Sequence, residues 1–254
     1  MLLHTLQTDC LTTQVHDSRE AMGAAAAACA ARAIRELFKT KEIVNMIFAA
    51  APSQNEMLAN LLKEDVDFSR INAFHMDEYT GLPAHAPQSF SNYLTEHIFS
   101  KAPFRSVHLI PADQPIDAAC ALYTQLLQDN PPDIVCMGIG ENGHVAFNDP
   151  PVADFNDPVL IKAVALDEIC RTQQVHDGCF ATLSEVPTHA LTLTVPALMR
   201  ARYLVCTVPG ATKAAAVKAM IHGPVGTQCP ATALRSHAGA VMFLDPESAA
   251  LLMK

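Results

Sequence analysis

Short apolar runs alternate with stretches of helical periodicity along most of the chain. Runs of this length that are rich in Val, Ile, Leu, Met and Phe predict buried strands. The predicted strands cover residues 42–51, 71–76, 106–110, 133–139, 189–194, 203–208 and 240–245. The predicted helices cover residues 17–39, 52–64, 116–128, 196–201 and 211–221. This alternation is typical of an α/β fold with an open, mostly parallel, Rossmann-like sheet and helices on both faces.

The totals fit a single domain over residues 1–254, since 50% of the 254 residues are hydrophobic and neither a repeat nor a low-complexity linker interrupts them. The formal net charge of −9 argues against a general affinity for nucleic acid or for an anionic membrane surface. The N-terminal residues MLLHTLQTDC form neither a signal peptide nor a membrane span. We therefore expect a cytoplasmic protein.

The cysteines are scattered and none forms a CxxC pair. Several lie inside apolar runs, which predicts buried, reduced thiols. Cys170 and Cys179 lie in a more polar segment, but nothing near them in the sequence indicates activation.

Ligands of open parallel sheets bind at the carboxyl ends of the strands, and polar clusters stand at several of these ends. In the segment HMDEYTGL, Asp77 and Glu78 follow a predicted strand directly. A carboxylate that is partly desolvated there would have a raised pKa and could act as a base. A helix cap or a turn is an equally good interpretation of the two acids alone.

The segment GIGENGHVAFNDP follows the strand DIVCM. Its glycines, Gly138, Gly140 and Gly143, let the backbone turn sharply and approach a ligand. His144 can exchange protons near neutral pH, and Asp149 can orient the imidazole. The alternative is a glycine turn that carries an exposed histidine.

The same three glycines match GxGxxG, the pattern of dinucleotide-binding loops. The residues Asn148 to Pro151 interrupt the helix that such a loop requires, so NAD is not expected.

Two predicted helix starts lie at the same sheet edge and offer backbone N–H donors for a phosphate. In VPGATKAAAVKAM, Lys213 adds a positive charge to the first turn of the helix. In APSQN, Ser53 is a candidate N-cap. An ordinary helix start explains each segment alone. The chain has neither HExxH nor paired Cys–His spacing, so no metal site is expected, and GxSxG is absent.

Five segments together resemble the glucosamine/galactosamine-6-phosphate isomerase family, whose relatives include 6-phosphogluconolactonase. The matching segments, in family order, are FHMDEYTGLP, GIGENGHVAFNDP, ALTLTVPALMRARYLV, VPGATKAAAVKAM and TALRSHAGAVMFLD. The segments themselves lie within residues 74–245, and the resemblance as a whole extends from about residue 43 to residue 245. The pair DEY and GHVAFNDP is specific.

The resemblance implies a deaminase that converts glucosamine 6-phosphate and water to fructose 6-phosphate and ammonia without a metal or other cofactor. It implies that Asp77 moves the C2 proton, that His144 opens the sugar ring with Asp149, and that Asn142 belongs to the same group. The expected substrate and phosphate contacts are Ser53, Gln54, Asn55, Glu78, Gly143, Arg171 and Lys213.

The chain also departs from the family pattern. The first loop reads AAAPSQNE where the family is rich in glycine, and Asp149 stands where a glutamate is usual. Asn142 cannot exchange a proton. The segment RTQQVHDGCF replaces a family lid segment, and Arg171 is offset in it, so Gln173, Gln174 and His176 are further candidates to face the ligand.

Three other functions stay open at this stage. A 6-phosphogluconolactonase would need no C2 base, and a sugar-phosphate sensor would need no acid–base set. A deaminase or isomerase for galactosamine 6-phosphate, or for another sugar phosphate, would use the same residues. The oligomeric state is also open, a homo-oligomer included.

Overall fold

The computed structural model describes residues 1–83 and 86–252. Its main sheet has eight strands, in the order β1-β2-β11-β10-β7-β3-β4-β6. These strands are β1 (Leu2–Thr8), β2 (Leu11–His16), β3 (Val44–Phe48), β4 (Ile71–His75), β6 (Ser106–His108), β7 (Ile134–Met137), β10 (Tyr203–Val208) and β11 (Ala240–Leu244). Only the β1–β2 pair is antiparallel, so the mostly parallel sheet that the sequence predicts is confirmed.

A second sheet of three antiparallel strands has the order β5-β9-β8. Its strands are β5 (Asp77–Tyr79), β8 (Ile161–Ala165) and β9 (His189–Leu193). The sequence pattern predicts the strand at 189–194 but places it among the parallel strands. In the structure β9 pairs instead with the short β5, which continues the chain only one residue after β4.

The helices are α1 (Arg19–Leu37), α2 (Asn55–Leu61), α3 (Phe90–Leu94), α4 (Ile116–Asp129), α5 (Glu168–His176), α6 (Val195–Met199) and α7 (Ala214–His222). One apolar cluster joins α1 and α2 to the main sheet, and the other joins α4, α6 and α7 to it. Helices therefore cover both faces, as predicted. None of the described helices is long and apolar enough to cross a membrane.

Helix α1 illustrates how the sequence produces an element. Ser18 caps its N-terminus by accepting a hydrogen bond from the backbone N–H of Ala21 at 3.1 Å. Its buried face consists largely of alanines, which lets the helix lie close to the strands. By contrast, the β1–β2 hairpin was not predicted, because β1 is mostly exposed and lacks an apolar run.

The order of the strands decides where the polar segments meet. Strands β10, β7, β3 and β4 are consecutive neighbours and parallel, so their carboxyl ends lie at one edge of the sheet. The segments that begin at Pro209, Gly138, Ala49 and Met76 all leave from that edge.

Candidate active site

A cavity of about 170 Å³ lies at this edge of the sheet. Its walls come from the four strand-end segments, from α5 and the residue that follows it, and from the first residues of α1 and α3. Among the residues predicted from the sequence, Ser53, Asp77, His144 and Lys213 line it. Residues that are up to 160 positions apart in the chain thus share one small space.

Asp77 begins β5 and is buried, with 7% of its surface exposed. Burial, and to a lesser extent the negative charge of Glu78, raises the pKa of Asp77 well above its usual value. A carboxylate with a raised pKa inside a cavity is suited to take a proton from a bound ligand.

The loop after β7 is shaped by two glycines. The imidazole of His144 lies across Gly140, where a β-carbon would come within 2.1 Å of the ring. Gly143 has a φ of +82°, and a β-carbon there would lie 2.5 Å from the sulfur of Cys229. Gly143 therefore shapes the loop and does not line the cavity, which leaves the predicted substrate contact at this residue without support from the geometry.

His144, Asp149 and Asn142 form a compact group on this loop. Nδ1 of His144 lies 3.0 Å from Oδ1 of Asp149, so the shorter side chain of aspartate still reaches the imidazole. The amide of Asn142 donates to the same Oδ1 at 2.8 Å, and its Oδ1 accepts from the backbone N–H of His144 at 3.0 Å. Asn142 is thus placed to orient the pair.

The pKa of Asp149 reflects the same group. Burial alone would raise it, but the adjacent imidazole of His144, the hydrogen bond from Asn142 and the nearby thiol of Cys170 hold the pKa of Asp149 below its usual value. Asp149 is therefore the ionised partner of the imidazole, while Asp77, at the same cavity, resists ionisation.

Lys213 follows the turn at Gly210, between β10 and α7. Only 5% of its surface is exposed, and its Nζ has no hydrogen-bond partner among the described residues. Burial lowers the pKa of Lys213, whereas the nearby carboxylates of Asp177 and Glu141 oppose that shift. A buried ammonium group without a partner at a cavity wall is a strong candidate to bind an anion.

The first loop presents one polar side chain to the cavity, that of Ser53. Ser53 is not the N-cap of α2; it lies in a short 3₁₀ turn, Pro52–Gln54, that precedes the helix. Gln54 points inward and donates to Oγ of Ser53 at 3.1 Å. Asn55 accepts a hydrogen bond from the hydroxyl of Tyr93. Gln54 and Asn55 therefore stabilise the loop and do not line the cavity.

Glu78 also lies outside the cavity wall. Its carboxylate accepts hydrogen bonds from the backbone N–H groups of Phe90 at 3.0 Å and Ser91 at 2.8 Å, at the start of α3. Glu78 thus forms the cap that the sequence offered as the alternative, and its predicted substrate contact has no support from the cavity wall. Its effect on the site is the charge that it places beside Asp77.

Helix α5 covers the cavity, and Gln173 and Gln174 line it. The side-chain oxygen of Gln173 accepts from the backbone N–H of Glu141 at 2.8 Å, which ties the helix to the loop of His144. His176 faces Glu141 instead, with its Nδ1 3.4 Å from the carboxylate.

Arg171 does not line the cavity. Its guanidinium group donates to the backbone oxygens of Leu183 at 2.7 Å and Val186 at 2.9 Å. It therefore holds the segment that follows α5, and the geometry gives no support to the predicted phosphate contact.

Two charged residues on the cavity wall were not predicted, Arg19 and Asp177. Arg19 donates to Oε1 of Glu56 at 2.8 Å and to the backbone oxygen of Pro52 at 2.6 Å. A basic residue in the first turn of a helix opposes the helix dipole, and this was the one signal that could have drawn attention to Arg19. Asp177 gave no such signal, because it lies in a polar segment.

Comparison with known proteins identifies relatives over most of the chain. Residues 17–243 match the family described as glucosamine-6-phosphate isomerases/6-phosphogluconolactonase. A glucosamine-6-phosphate deaminase of Listeria monocytogenes is 37% identical over 212 residues, which are 82% of this chain and 88% of the relative. A glucosamine-6-phosphate deaminase of Bacillus cereus is 34% identical over 86% of this chain and 82% of its own length.

Solved structures share the fold. A structure reported as a monomeric glucosamine-6-phosphate deaminase is 26% identical, with a TM-score of 0.85, over 94% of this chain and 99% of its own. A 6-phosphogluconolactonase from Thermotoga maritima is 20% identical, with a TM-score of 0.76, over 92% of this chain and 99% of its own. At that identity the second likeness concerns the fold alone.

Proposed function

The chain belongs to the family of glucosamine-6-phosphate isomerases and 6-phosphogluconolactonase, and on that premise we propose that it is a glucosamine-6-phosphate deaminase. It converts glucosamine 6-phosphate and water to fructose 6-phosphate and ammonia. The chemistry consists of proton transfers and one hydrolysis, so side chains suffice for it.

The phosphate binds to Lys213 and Ser53, which both line the cavity. Lys213 supplies a buried ammonium group that has no partner in the described part of the chain. Arg19 lines the same cavity and adds a second positive charge, in place of Arg171, which does not line it. This arrangement fixes one end of the sugar phosphate.

His144 opens the sugar ring. It moves the proton of the C1 hydroxyl to the ring oxygen as the bond between that oxygen and C1 breaks. The ionised Asp149, 3.0 Å away, stabilises the imidazolium form, and Asn142 keeps the pair in place.

Asp77 acts on the open chain. Its carboxylate takes the proton from C2, which gives an enolamine, and protonation at C1 then gives a ketimine. Water adds to C2 and ammonia leaves, which yields fructose 6-phosphate. The raised pKa of Asp77 makes its carboxylate a stronger base than an exposed aspartate.

One observation carries this proposal. A buried carboxylate with a raised pKa lines one cavity together with the histidine of a histidine–aspartate pair and a buried lysine that has no hydrogen-bond partner among the described residues. A lactonase has no use for a C2 base, and a sensor has no use for the acid–base set. These two alternatives leave Asp77 without a role, whereas a deaminase for galactosamine 6-phosphate would use it in the same way.

We further propose that the enzyme works in the cytoplasm. All eight cysteines are free, which is typical of proteins in a reducing compartment. Fractionation of the native host, with the activity followed in each fraction, tests this.

The decisive experiment measures ammonia and fructose 6-phosphate released from glucosamine 6-phosphate. Galactosamine 6-phosphate and 6-phosphogluconolactone are tested in parallel. Equal amounts of both products from glucosamine 6-phosphate are expected. Release from galactosamine 6-phosphate alone, or hydrolysis of the lactone alone, would overturn the proposal and identify the true substrate.

The Asp77→Asn variant tests the proposed base. Turnover should fall by about 10²- to 10⁴-fold, the usual contribution of general base catalysis, because the amide cannot accept the C2 proton. Binding of glucose 6-phosphate, measured by calorimetry, should stay within about twofold. Asp129→Asn, at an exposed position on α4, is the matched control and should match the wild type. Unchanged turnover in Asp77→Asn would remove Asp77 from the mechanism.

A further inference from the structure

Two buried atoms of the histidine–aspartate pair lack good partners. Nδ1 of His144 and Oδ2 of Asp149 are both buried, and neither makes an aligned hydrogen bond to a nitrogen or oxygen of the described residues. The 3.0 Å approach between Nδ1 and Oδ1 is close but is not aligned as a hydrogen bond. Buried polar atoms without a protein partner call for an explanation, such as a catalytic role or a bound ion.

A third side chain, that of Cys170 on helix α5, lies beside the histidine–aspartate pair, and the three form a cluster. Cys170 is fully buried, and the proposed deamination does not use it. One ligand atom from each of His144, Asp149 and Cys170 lies within 4.8 Å of the corresponding atoms of the other two. The thiol is free, and it interacts with the carboxylate of Asp149.

We propose that His144, Asp149 and Cys170 form a binding site for a thiophilic divalent cation, with Zn²⁺ as the best match. An imidazole nitrogen, a carboxylate oxygen and a sulfur are the ligands that zinc prefers. Zinc bonds of about 2.0–2.3 Å would place tetrahedral ligands roughly 3.3–3.8 Å apart, so the cluster needs movements of only about 1 Å. All three residues lie beside the cavity, and His144 lines it, which gives the cation a route of entry.

Binding requires the thiol of Cys170 to lose its proton. Burial, together with the charge of Asp149, raises the pKa of this thiol. A bound cation reverses that effect, because the metal–sulfur bond replaces the sulfur–hydrogen bond and the proton leaves to solvent. Zinc binding should therefore tighten as the pH rises.

The effect of zinc on activity rests on the proposed function. A cation that holds His144 and Asp149 removes the groups that open the sugar ring, so zinc inhibits the deaminase and a chelator restores it. Cys170 makes the inhibition possible without taking part in catalysis. Because the cysteine lies on α5, the bound cation would also fasten this helix over the cavity.

The test measures zinc binding directly, by competition with a chromophoric chelator, on chelator-treated full-length protein. The chain has eight free thiols, so the variants must identify the site. Cys170→Ser should weaken zinc binding at least about tenfold. His144→Asn removes a ligand from a different segment and should weaken zinc binding as much. Cys179→Ser, on the same polar segment, is the matched control and should bind zinc as the wild type does.

A second readout separates a true ligand from a structural role. Co²⁺ in place of zinc should show a thiolate-to-cobalt charge-transfer band that Cys170→Ser loses and Cys179→Ser keeps. Melting temperatures of the metal-free variants establish that each is folded, and Cys170→Ala replaces the serine variant if that one is not.

Equal zinc affinity in wild type and Cys170→Ser, or loss of affinity only in Cys179→Ser, would overturn the site. Zinc binding that depends on Cys170 in a protein without deaminase activity would sustain the site and refute the proposed function instead. Binding that depends on Cys170 but leaves ammonia release unaffected would refute the inhibition.

Discussion

Two neighbouring acids, Asp77 and Glu78, have different tasks in this structure. Asp77 faces the cavity, whereas Glu78 caps α3 and contributes a charge. That charge is one of the two causes of the raised pKa of Asp77, after burial. The two acids are neighbours in the sequence, so the charge of Glu78 influences the pKa of Asp77 even though the two side chains point to different places.

The Glu78→Gln variant should shift the acid limb of the pH profile to lower pH. Asp77 works as a base only when it is ionised, so kcat/KM rises with pH through the pKa of Asp77. Removing the neighbouring negative charge lowers this pKa, and activity then appears at lower pH. The amide oxygen of glutamine can still accept a bond from the start of α3. A pH profile that keeps its acid limb in place would show that Glu78 does not tune Asp77.

The proposed phosphate-binding residues, Lys213, Ser53 and Arg19, are called the phosphate seat below. They provide a second test at the level of single residues. Lys213→Ala should raise KM for glucosamine 6-phosphate about 10- to 100-fold and change kcat little, because a charge-assisted hydrogen bond contributes about 1.5–3 kcal/mol. Arg19→Gln should raise KM in the same way. A large loss of kcat with KM unchanged would instead assign Lys213 to the transition state.

Glu56→Gln is the control for Arg19. Glu56 pairs with Arg19 at 2.8 Å, so a purely structural role of the arginine would be disturbed equally by either substitution. A role in phosphate binding predicts that Glu56→Gln leaves KM unchanged or lowers it. An equal rise of KM in both variants would remove Arg19 from the phosphate seat.

At the level of elements, the sequence predicted the strand ends well. Asp77, His144 and Lys213 were found because each follows an apolar run, and the ends of parallel strands meet at one edge. Asp149 followed from the same loop, whereas Asn142 was implied by the resemblance to the family. The positions of these residues relative to the nearest strand can be read directly from the sequence.

Other features depend on contacts between distant segments and could not be predicted. Arg171 was expected at the phosphate, but the fold places the backbone oxygens of Leu183 and Val186 beside it. Cys170 gave no spacing signal, because its neighbours His144 and Asp149 belong to another segment. The small antiparallel sheet was missed for the same reason, since β9 finds its partner in β5 across more than 100 residues.

Helix α5 carries a prediction of its own. Arg171→Gln removes the two bonds that fasten the segment after α5, so the helix should open more often and KM should rise. The effect should be similar for binding of glucose and of glucose 6-phosphate, measured by calorimetry. Lys213→Ala, in contrast, should weaken the phosphorylated ligand selectively. A selective effect of Arg171→Gln on the phosphorylated ligand would return this arginine to the phosphate seat.

For the molecule as a whole, the site imposes a cost on stability. The fold buries Asp77 and Lys213 at the sheet edge, and desolvation disfavours the charged form of each. The apolar clusters on both faces of the sheet offset this cost. We therefore expect that replacing a buried charged residue of this site by a neutral one stabilises the ligand-free fold.

The Asp77→Asn variant should be more stable than the wild type at neutral pH. The pKa of Asp77 is raised in the folded chain, so this carboxyl favours the folded state at low pH, and that contribution is lost as the pH rises from the unfolded pKa of about 3.9 through the folded pKa. Asparagine does not titrate and escapes the loss. We expect Asp77→Asn to raise the free energy of unfolding by about 1–3 kcal/mol at pH 8, and the gain to disappear below about pH 4.

Denaturant unfolding at a series of pH values measures this difference, with Asp129→Asn as the exposed control that should show none. A gain that is the same at every pH would come from packing and not from ionisation. A loss of stability at pH 8 would mean that the charged carboxylate is well solvated in the folded chain. In that case the pKa of Asp77 would not be raised. Its carboxylate would be no more basic than that of an exposed aspartate, and the assignment of Asp77 as the base at C2 would lose this support.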